Sequence, residues 1–431
     1  MLMDAQPVLL LSYFFSPCNL TPTERVLSWA KYLQQSGVYP IIVTRNWDVP
    51  VRNATTDMYL SSGDAVRVEK KDGYEVHYIP YRAGFKDRLF LKTDGTRWYP
   101  IYLVVSMLFN LFNKYFLRLN PSFALCEYAE NLIKERGLQK MVVTAPPFEF
   151  FGYAHRLHQR TGIRWIADYR DDWSTSDLEK GHAIKEMVKW FNRGAERRYL
   201  SSASQFTSVS PHYVNKIKAF IGKEGHLLSN GYMPENYRHD YPLYQKFTIT
   251  YVGSIYPTQP IELFLRAFRT FMALHQNADT VCLQWVGVDQ EPAIKQRILA
   301  AFPEAPGVLQ FTDRIPKAEA IERQARSHAV LACAHQGLKG IPGSKLYEYI
   351  ALRKPVILYP SDGDILESTL LATQQGLVCH NEADCVGFLN QLYAAYKADN
   401  QASALPLNEI EIAAYSRKEI TATLAKLLQG V

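Results

Sequence analysis

The residues of this chain best suited to chemistry stand at 343–348. Gly343, Ser344 and Lys345 open a short helical pattern, and Glu348 follows three residues later on the same helix face. Pro342 suits a first helical turn, where its missing N–H costs nothing. The free N–H groups of Gly343, Ser344 and Lys345 would point out of a positive helix end, and the Lys345 ammonium adds a point charge. That combination receives phosphate. A carboxylate beside an anion site can hold ribose hydroxyls, so the pattern points to a nucleotide or a nucleotide sugar. The same residues also read as a surface turn with a Lys345–Glu348 helix pair, worth only a few tenths of a kcal/mol.

Three further clusters follow strand-like runs. Gly253 and Ser254 come after FTITYV; the glycine permits close backbone approach to a phosphate and the serine supplies donors. Asp168, Arg170, Asp171 and Asp172 crowd together in ADYRDDW, with Asp168 expected just past its strand, facing inward to orient or accept from a hydroxyl. Asp-rich loops bind Mg²⁺, but an arginine sits inside this one. The reading preferred here pairs Arg170 with Asp171 or Asp172 and places no metal. Pro146 and Pro147 end the preceding strand as a rigid wall. Thr312–Pro316 could frame a base through Arg314 and Ile315, or could simply start a helix with Asp313 paired to Arg314. After the first strand, Asn19, Thr21 and Thr23 offer short polar side chains and Arg25 lies just inside a helix; capping by Thr21 or Thr23 competes with ligand contact. No G-x-G-x-x-G follows that strand, which disfavours a dinucleotide-dependent dehydrogenase.

These groups need strand ends to hold them, and the sequence supplies two sets. The first runs Pro7–Phe15, Tyr39–Thr44, Glu75–Ile79, Met141–Thr144, Arg164–Ala167 and Phe206–Val209, with helical patterns between. The second runs Phe247–Val252, Val281–Val286, Val308–Phe311, Ala329–Cys333, Val356–Tyr359 and Gly376–Cys379. Strands alternating with helices mean parallel sheets covered on both faces. Tyr232–Lys246, rich in Tyr, Pro and Asn, reads as the linker. The expectation is two doubly wound α/β domains facing a cleft, residues 1–235 and 247–408. A C-terminal helix spans 409–431 and packs back on the first domain. Ligands in such sheets sit beyond the carboxyl ends of strands.

At 431 residues the chain exceeds what one core organises. A net charge of +6 without a dense Lys/Arg block suits anionic substrates or an acidic membrane surface and excludes a typical nucleic-acid binder. Six scattered cysteines without a C-x-x-C predict reduced, buried thiols in a cytoplasmic protein and no zinc site. No basic n-region or cleavage site precedes the first strand, so no signal peptide is expected. The stretch from Trp98 to Leu119 is the most membrane-like. Its apolar part is short and broken by Asn110, Asn113, Lys114 and Arg118, so it should not span a bilayer. It reads either as a buried helix or as one lying in the membrane interface with Lys114 and Arg118 at head groups.

Taken in order, YFFSPCNLTPTERVLSWAKYL, TAPPFEF, WIADYRDDW, LLSNGYMPENY, ITYVGSIYPTQPIELFLRAF and GIPGSKLYEYIALRKPVILYPSDGD resemble glycosyltransferase family 4. These are the retaining enzymes of GT-B fold, and the likeness is to the bacterial branch that builds surface polysaccharides. The resemblance covers nearly the whole chain. It implies a nucleoside-diphosphate sugar (UDP or GDP) held by the C-terminal domain and a glycan or polyprenyl-linked acceptor held by the N-terminal one, without metal or other cofactor. By position, Glu348 would bind the ribose; Gly343, Ser344, Lys345, Gly253 and Ser254 would meet the diphosphate; Arg314 and Ile315 would lie along the base. Asp168, Arg170, Asp171 and Lys345 are the candidate catalytic groups, and Asn19, Thr21, Arg25, Pro146 and Pro147 line the acceptor side. Three features depart from the family pattern. Gly340 stands where the family's first motif glutamate would be, the basic pair after the Gly253 strand is missing, and Asp168–Asp171 replace a histidine. A nucleotide-sugar epimerase of the same architecture and a non-catalytic nucleotide-sugar binding protein are the alternatives. WIADYRDDW, as an acceptor-side segment, argues against the epimerase.

Overall fold

The computed structural model of the chain describes residues 5–51, 53, 55–114, 116–176, 183–276, 278–289, 291–303, 306–399 and 405–431. The chain divides into two compact units: residues 1–229 with 420–431, and residues 230–419.

Unit 1 carries eight strands: β1 (Gln6–Leu11), β2 (Val38–Arg45), β3 (Arg67–Lys71), β4 (Tyr74–Ile79), β5 (Lys140–Ala145), β6 (Arg164–Tyr169), β7 (Gln205–Ser208) and β8 (Gly225–Leu227). Its helices are α1 (Pro22–Tyr32), α2 (Phe85–Thr93), α3 (Tyr99–Asn113), α4 (Phe123–Arg136), α5 (Glu149–Thr161), α6 (Ala183–Leu200) and α7 (Pro211–Ile221). The sheet order is β3-β4-β2-β1-β5-β6-β7-β8, parallel throughout except for β3 against β4. Alternate residues face opposite helix layers, as a strand's period of two requires. Leu9, Leu11, Val143, Ala167 and Tyr169 pack under α4 and α5. Val8, Leu10, Val142 and Ile166 pack with Val26 and Trp29 of α1 and with Leu424 and Leu428.

Unit 2 carries β9 (Phe247–Val252), β10 (Val281–Val286), β11 (Leu309–Thr312), β12 (Ala329–Ala332), β13 (Val356–Leu358) and β14 (Gly376–Val378). Its helices are α8 (Ile261–His275), α9 (Pro292–Ala301), α10 (Lys317–Ala325), α11 (Ser344–Leu352), α12 (Ile365–Ala372), α13 (Glu382–Asp399) and α14 (Glu409–Ala414), with α15 (Arg417–Gln429) following. The all-parallel order β11-β10-β9-β12-β13-β14 is the doubly wound 3-2-1-4-5-6 arrangement. Its winding reverses between β9 and β12, which opens a crevice at their carboxyl ends. In unit 1 the same reversal falls between β1 and β5.

Every strand expected from sequence is present, within a few residues at its ends. The edge strands β3 and β8 were not foreseen. RVEKK is charged and mostly exposed, so it carries no hydrophobic alternation, and Gly225–Leu227 is only three residues long. The stretch from Glu409 forms two helices rather than one: α14 packs in unit 2 through Ile412, and Ile420–Val431 complete the unit 1 core. The six cysteines are buried, free thiols. The apolar stretch at 98–119 is not a buried helix. In α3 only Tyr102 and Asn113 are buried, while Val104 is 59% and Phe112 56% exposed; Tyr115 lies outside the described residues. Among the described residues no helix is long and apolar enough to cross a membrane.

Candidate functional site

At the unit 2 switch point the two decisive loops follow β9 and β12. Gly253 has φ of +117°, a conformation glycine adopts without strain, and a Cβ placed there would meet open space. Its N–H donates to Val286 O at 3.0 Å, which anchors the strand end. Three bonds lock the loops together: Gln259 Nε2 donates to Cys333 O at 2.6 Å, Thr258 Oγ1 lies 2.7 Å from His335 Nδ1, and Gln336 N–H donates to Thr258 O at 2.8 Å. The backbone that faces a ligand is therefore preorganised.

The β12 loop leads into α11. Gly343 is its N-cap and Ser344 its first residue, so Pro342 precedes the helix instead of opening it. Leu346 N–H turns back to Gly343 O at 3.1 Å, and helix geometry leaves the N–H groups of Ser344 and Lys345 without an acceptor inside the helix. Lys345 Nζ sits 2.9 and 3.1 Å from the two oxygens of Glu348. The helix pair anticipated as the bland alternative is thus formed, but with a buried carboxylate, and Lys317 at the start of α10 lies 4.0 Å from the same group. The result is two ammonium groups around one carboxylate, beside the open helix end. Sequence reading missed Lys317, since nothing in IPKAEA signals that α10 packs on α11. Arg314 is exposed beyond β11, and Ile315 packs on Val252 and Val286.

Gly340, where the resemblance would have placed a glutamate, has φ of +74° and donates its N–H to Asp364 Oδ2 at 2.5 Å. A side chain there would be held in the left-handed region, so the loop conformation itself selects glycine. Asp364, from the loop after β13, was not foreseen. Its neighbour Asp362 gives the loop away in hindsight: it accepts from the backbone N–H groups of Asp364, Leu366 and Glu367 at the start of α12.

In unit 1 the structure corrects two assignments. Asp168 does not stand past its strand, because β6 continues to Tyr169. Its register neighbours are Thr144 and Thr207, whose hydroxyls each donate to it at 2.7 Å. Arg25 supplies Nε at 2.9 Å and Nη2 at 2.6 Å. The remaining Arg25 donors hold the Leu228 and Ser229 carbonyls at 2.8 and 3.0 Å. Asp168 is 0% and Arg25 1% exposed, so neither is open to an acceptor. Burial alone would raise the Asp168 carboxyl, but the Arg25 charge and the hydrogen bonds outweigh it and hold the group below its usual range. This is a buried ion pair that bolts α1 to the sheet.

The expected pairing of Arg170 also differs. Asp172 bonds Lys216 at 2.8 Å, and Arg170 instead donates to Pro146 O and lies 5.4 Å over the Phe14 ring. Desolvation lowers its guanidinium to about 10, against the opposing charges of Asp168 and Asp171. Its Nη1 is buried and has no partner among the described residues. Arg170 therefore brings an unspent donor to the junction of the β1, β5 and β6 ends. Asp171 reaches solvent beside it, with desolvation pushing its carboxyl up despite the Arg170 charge. Asn19 and Thr21 are exposed on the β1 loop, and Thr21 makes no capping bond, while Pro146 and Pro147 flank the β5 end. Glu149, the first residue of α5, accepts from Asn120 Nδ2 at 2.8 Å, and burial pushes its carboxyl up. It lay unremarked within TAPPFEF.

A polar groove of about 820 Å³ runs along the ends of β1, β2 and β4, lined among others by Ser16, Asn46, Asp48, Ser61 and Arg82. Asn46 is buried, and its Oδ1 has no partner among the described residues. Arg45 builds the groove wall. Its guanidinium lies 4.0 Å over Tyr81 and 4.2 Å over Trp47, and it donates to Met58 O at 2.7 Å and Leu60 O at 2.6 Å. Among the described residues no three His, Cys, Asp or Glu side chains gather to hold a metal ion.

No family model matches the chain, and no curated protein matches it in sequence. Solved structures do match in three dimensions. A sucrose-phosphate synthase from Thermosynechococcus elongatus is 14% identical, with a TM-score of 0.65 over 99% of this chain and 98% of that one. HepE from Anabaena, solved with UDP and glucose, is 10% identical with a TM-score of 0.58 over 99% and 100%. A UDP-forming α,α-trehalose-phosphate synthase from Burkholderia vietnamiensis is 11% identical with a TM-score of 0.56 over 99% and 100%. The fold is GT-B. Within it, the β9 and β12 loops of unit 2 and the β1, β5 and β6 loops of unit 1 are the switch-point surfaces.

Proposed function

We propose that this chain is a glycosyltransferase that moves a sugar from a nucleoside-diphosphate sugar to a glycan or lipid-linked acceptor. The observation that carries the reading is the unit 2 switch point, where an unobstructed Gly253 turn, the open N-terminus of α11 and Lys345 and Lys317 face an anion with Glu348 beside them. On this reading Gly253, Ser254, Gly343, Ser344 and Lys345 meet the diphosphate, Glu348 the ribose, and Arg314 with Ile315 the base. Since HepE was solved with UDP and with UDP-glucose, uridine donors are the first to test.

As the glycosidic bond to the donor breaks, negative charge grows on the departing diphosphate. The α11 N–H groups and Lys345 are placed to stabilise it, which is the task a metal performs elsewhere. The acceptor binds at the strand ends of unit 1, where the exposed Asp171 contributes and the Asn46 groove takes the hydroxyl-rich remainder. Retention of configuration, metal independence and a role in surface-polysaccharide assembly follow the family 4 resemblance. The exposed apolar face of α3 is read as a peripheral contact with the cytoplasmic membrane.

The test is a thermal-shift panel of UDP-, GDP-, ADP- and CMP-sugars, followed by nucleotide release with candidate acceptors. A donor at 100 times its Kd adds about 2.7 kcal/mol of stability. If no nucleotide sugar raises the melting temperature, the proposal fails. Tight donor binding without transfer or hydrolysis would favour the non-catalytic alternative, which Gly340 motivates; sugar interconversion without an acceptor would identify an epimerase.

A further inference from the structure

A basic groove lies on unit 1 between α6, α7 and the loop that follows β6. Its volume is about 600 Å³, and it is lined by Ser174, Lys189, Trp190, Arg193, Arg197 and Phe220, with Glu186 and Lys216 at its margins. Its charges are not balanced. Lys189 faces Glu186 at 4.0 Å and Lys216 is bonded to Asp172 at 2.8 Å. Arg193 and Arg197 have no carboxylate partner among the described residues; both guanidiniums instead sit over one ring, Phe220, at 5.1 and 4.6 Å. Two like charges one helical turn apart repel, and among the described residues no carboxylate is bonded to either. Ser174 is 1% exposed, and its N–H donates to the buried Glu196 carboxylate at 3.0 Å, so the anion-receiving groups of the groove are the arginines. Two guanidiniums held over one aromatic ring make a receptor for a phosphate group.

Adjoining it is a second groove of about 640 Å³, which shares Trp190, Arg193 and Arg197 and adds Lys114, Phe191 and Arg198. Lys114 belongs to the end of α3. Its carbonyl accepts from Arg198 and, at 2.8 Å, from the Tyr199 hydroxyl, and its ammonium lies 5.9 Å over Phe191. The bare apolar face of α3 (Leu103, Val104, Leu108, Phe112) therefore runs directly into the basic face of α6, where Trp190 is 68% exposed. Apolar side chains that continue into uncompensated arginines and an exposed tryptophan match the layering of a lipid surface, with acyl chains below and phosphate above.

We propose that the α6 face is a headgroup site for anionic phospholipid: Arg193 and Arg197 bind the lipid phosphate while α3 and Trp190 enter the interface. The inference rests on the membrane contact read above for α3, and it adds a charge-selective site that α3 alone does not provide.

The test is flotation of the purified full chain with vesicles of phosphatidylcholine alone and with about 30% phosphatidylglycerol, a fraction chosen to give an anionic surface potential. Binding is expected to favour the anionic vesicles and to weaken as salt rises. Arg193→Ala with Arg197→Ala should reduce anionic-vesicle binding about 30-fold, at about 1 kcal/mol per basic residue, and should leave binding to phosphatidylcholine and the melting temperature nearly unchanged. Leu108→Ser with Phe112→Ser should weaken binding to both vesicles. Equal binding to the two compositions, or an unaffected arginine double variant, overturns the headgroup site while the α3 contact stands. No binding to either vesicle overturns both. Inorganic phosphate that raises the melting temperature through Arg193 and Arg197 without any anionic-vesicle preference would show a free-anion site and overturn the lipid assignment.

Discussion

Replacing Asp168 by asparagine should destabilise this protein rather than disable its chemistry. The change is nearly isosteric, so packing is kept and only the charge is lost. The Arg25 guanidinium then remains fully buried, bonded to two carbonyls and the one amide oxygen, with another N–H facing the amide nitrogen, itself a donor, and no charge to offset its desolvation. Removing one partner of a buried ion pair costs about 3–5 kcal/mol. For a unit of roughly this size each kcal/mol moves Tm by about 2–4 °C, so a fall of roughly 6–20 °C is expected by calorimetry. Adding Arg25→Met removes the stranded charge, so the double variant should be more stable than Asp168→Asn alone. The pH dependence has a definite sign. The Asp168 pKa is depressed in the folded state, so its contribution is fully present above the unfolded value of about 3.9 and disappears as pH falls through the lower folded value. Wild type should therefore lose stability in that acid range, and the double variant should lose less. An Asp168→Asn protein that melts like wild type but has lost turnover would refute the argument and restore Asp168 as a group that does chemistry.

Lys345→Ala should weaken UDP-sugar binding about 10- to 150-fold in calorimetric titration, the loss of one charge-assisted bond of about 1.5–3 kcal/mol. Its melting temperature should move little, because Lys345 is partly exposed and Lys317 remains 4.0 Å from the Glu348 carboxylate. Donor affinity within twofold of wild type would remove Lys345 from the diphosphate. Gly340→Glu introduces the glutamate that the family 4 resemblance would place there, yet should lower stability by about 1–2 kcal/mol without raising turnover, since φ is +74° there. A faster enzyme would show that the loop accommodates the side chain after all. Arg45→Met should leave the donor Kd unchanged while raising the acceptor KM, because the 57–62 wall loses its anchor; equal effects on both would contradict a groove-building role.

How much of this was legible in the sequence varies element by element. FTITYV and VCLQWV are runs rich in β-branched and aromatic residues, each followed by a glycine, as strands are, and their ends agree with the structure. Charged RVEKK forms a strand only because β4 offers it an edge, a fact with no local signature. Within the site, GSKLYEY announced a helix start with a basic residue, and local chemistry alone placed it. Asp168 went the other way. An aspartate after WIA looks like a strand-end catalytic group until Thr144 and Thr207 are known to lie in register on either side and Arg25 to reach it from α1.

The chain's sequence by itself determined two α/β units, the turn glycines and a helix start near residues 342–344, because strand periodicity, glycine conformation and helix ends are properties of neighbouring residues. Only the tertiary structure decided which charges are spent and which are available. Asp168 and Arg25, 143 residues apart, cancel inside the core. Glu348 draws in Lys345 and Lys317, and Arg170, Arg193 and Arg197 make no carboxylate bond among the described residues. A charge acquires a function only through what else stands within a few ångströms and how much water remains, and those quantities exist only once the chain has folded.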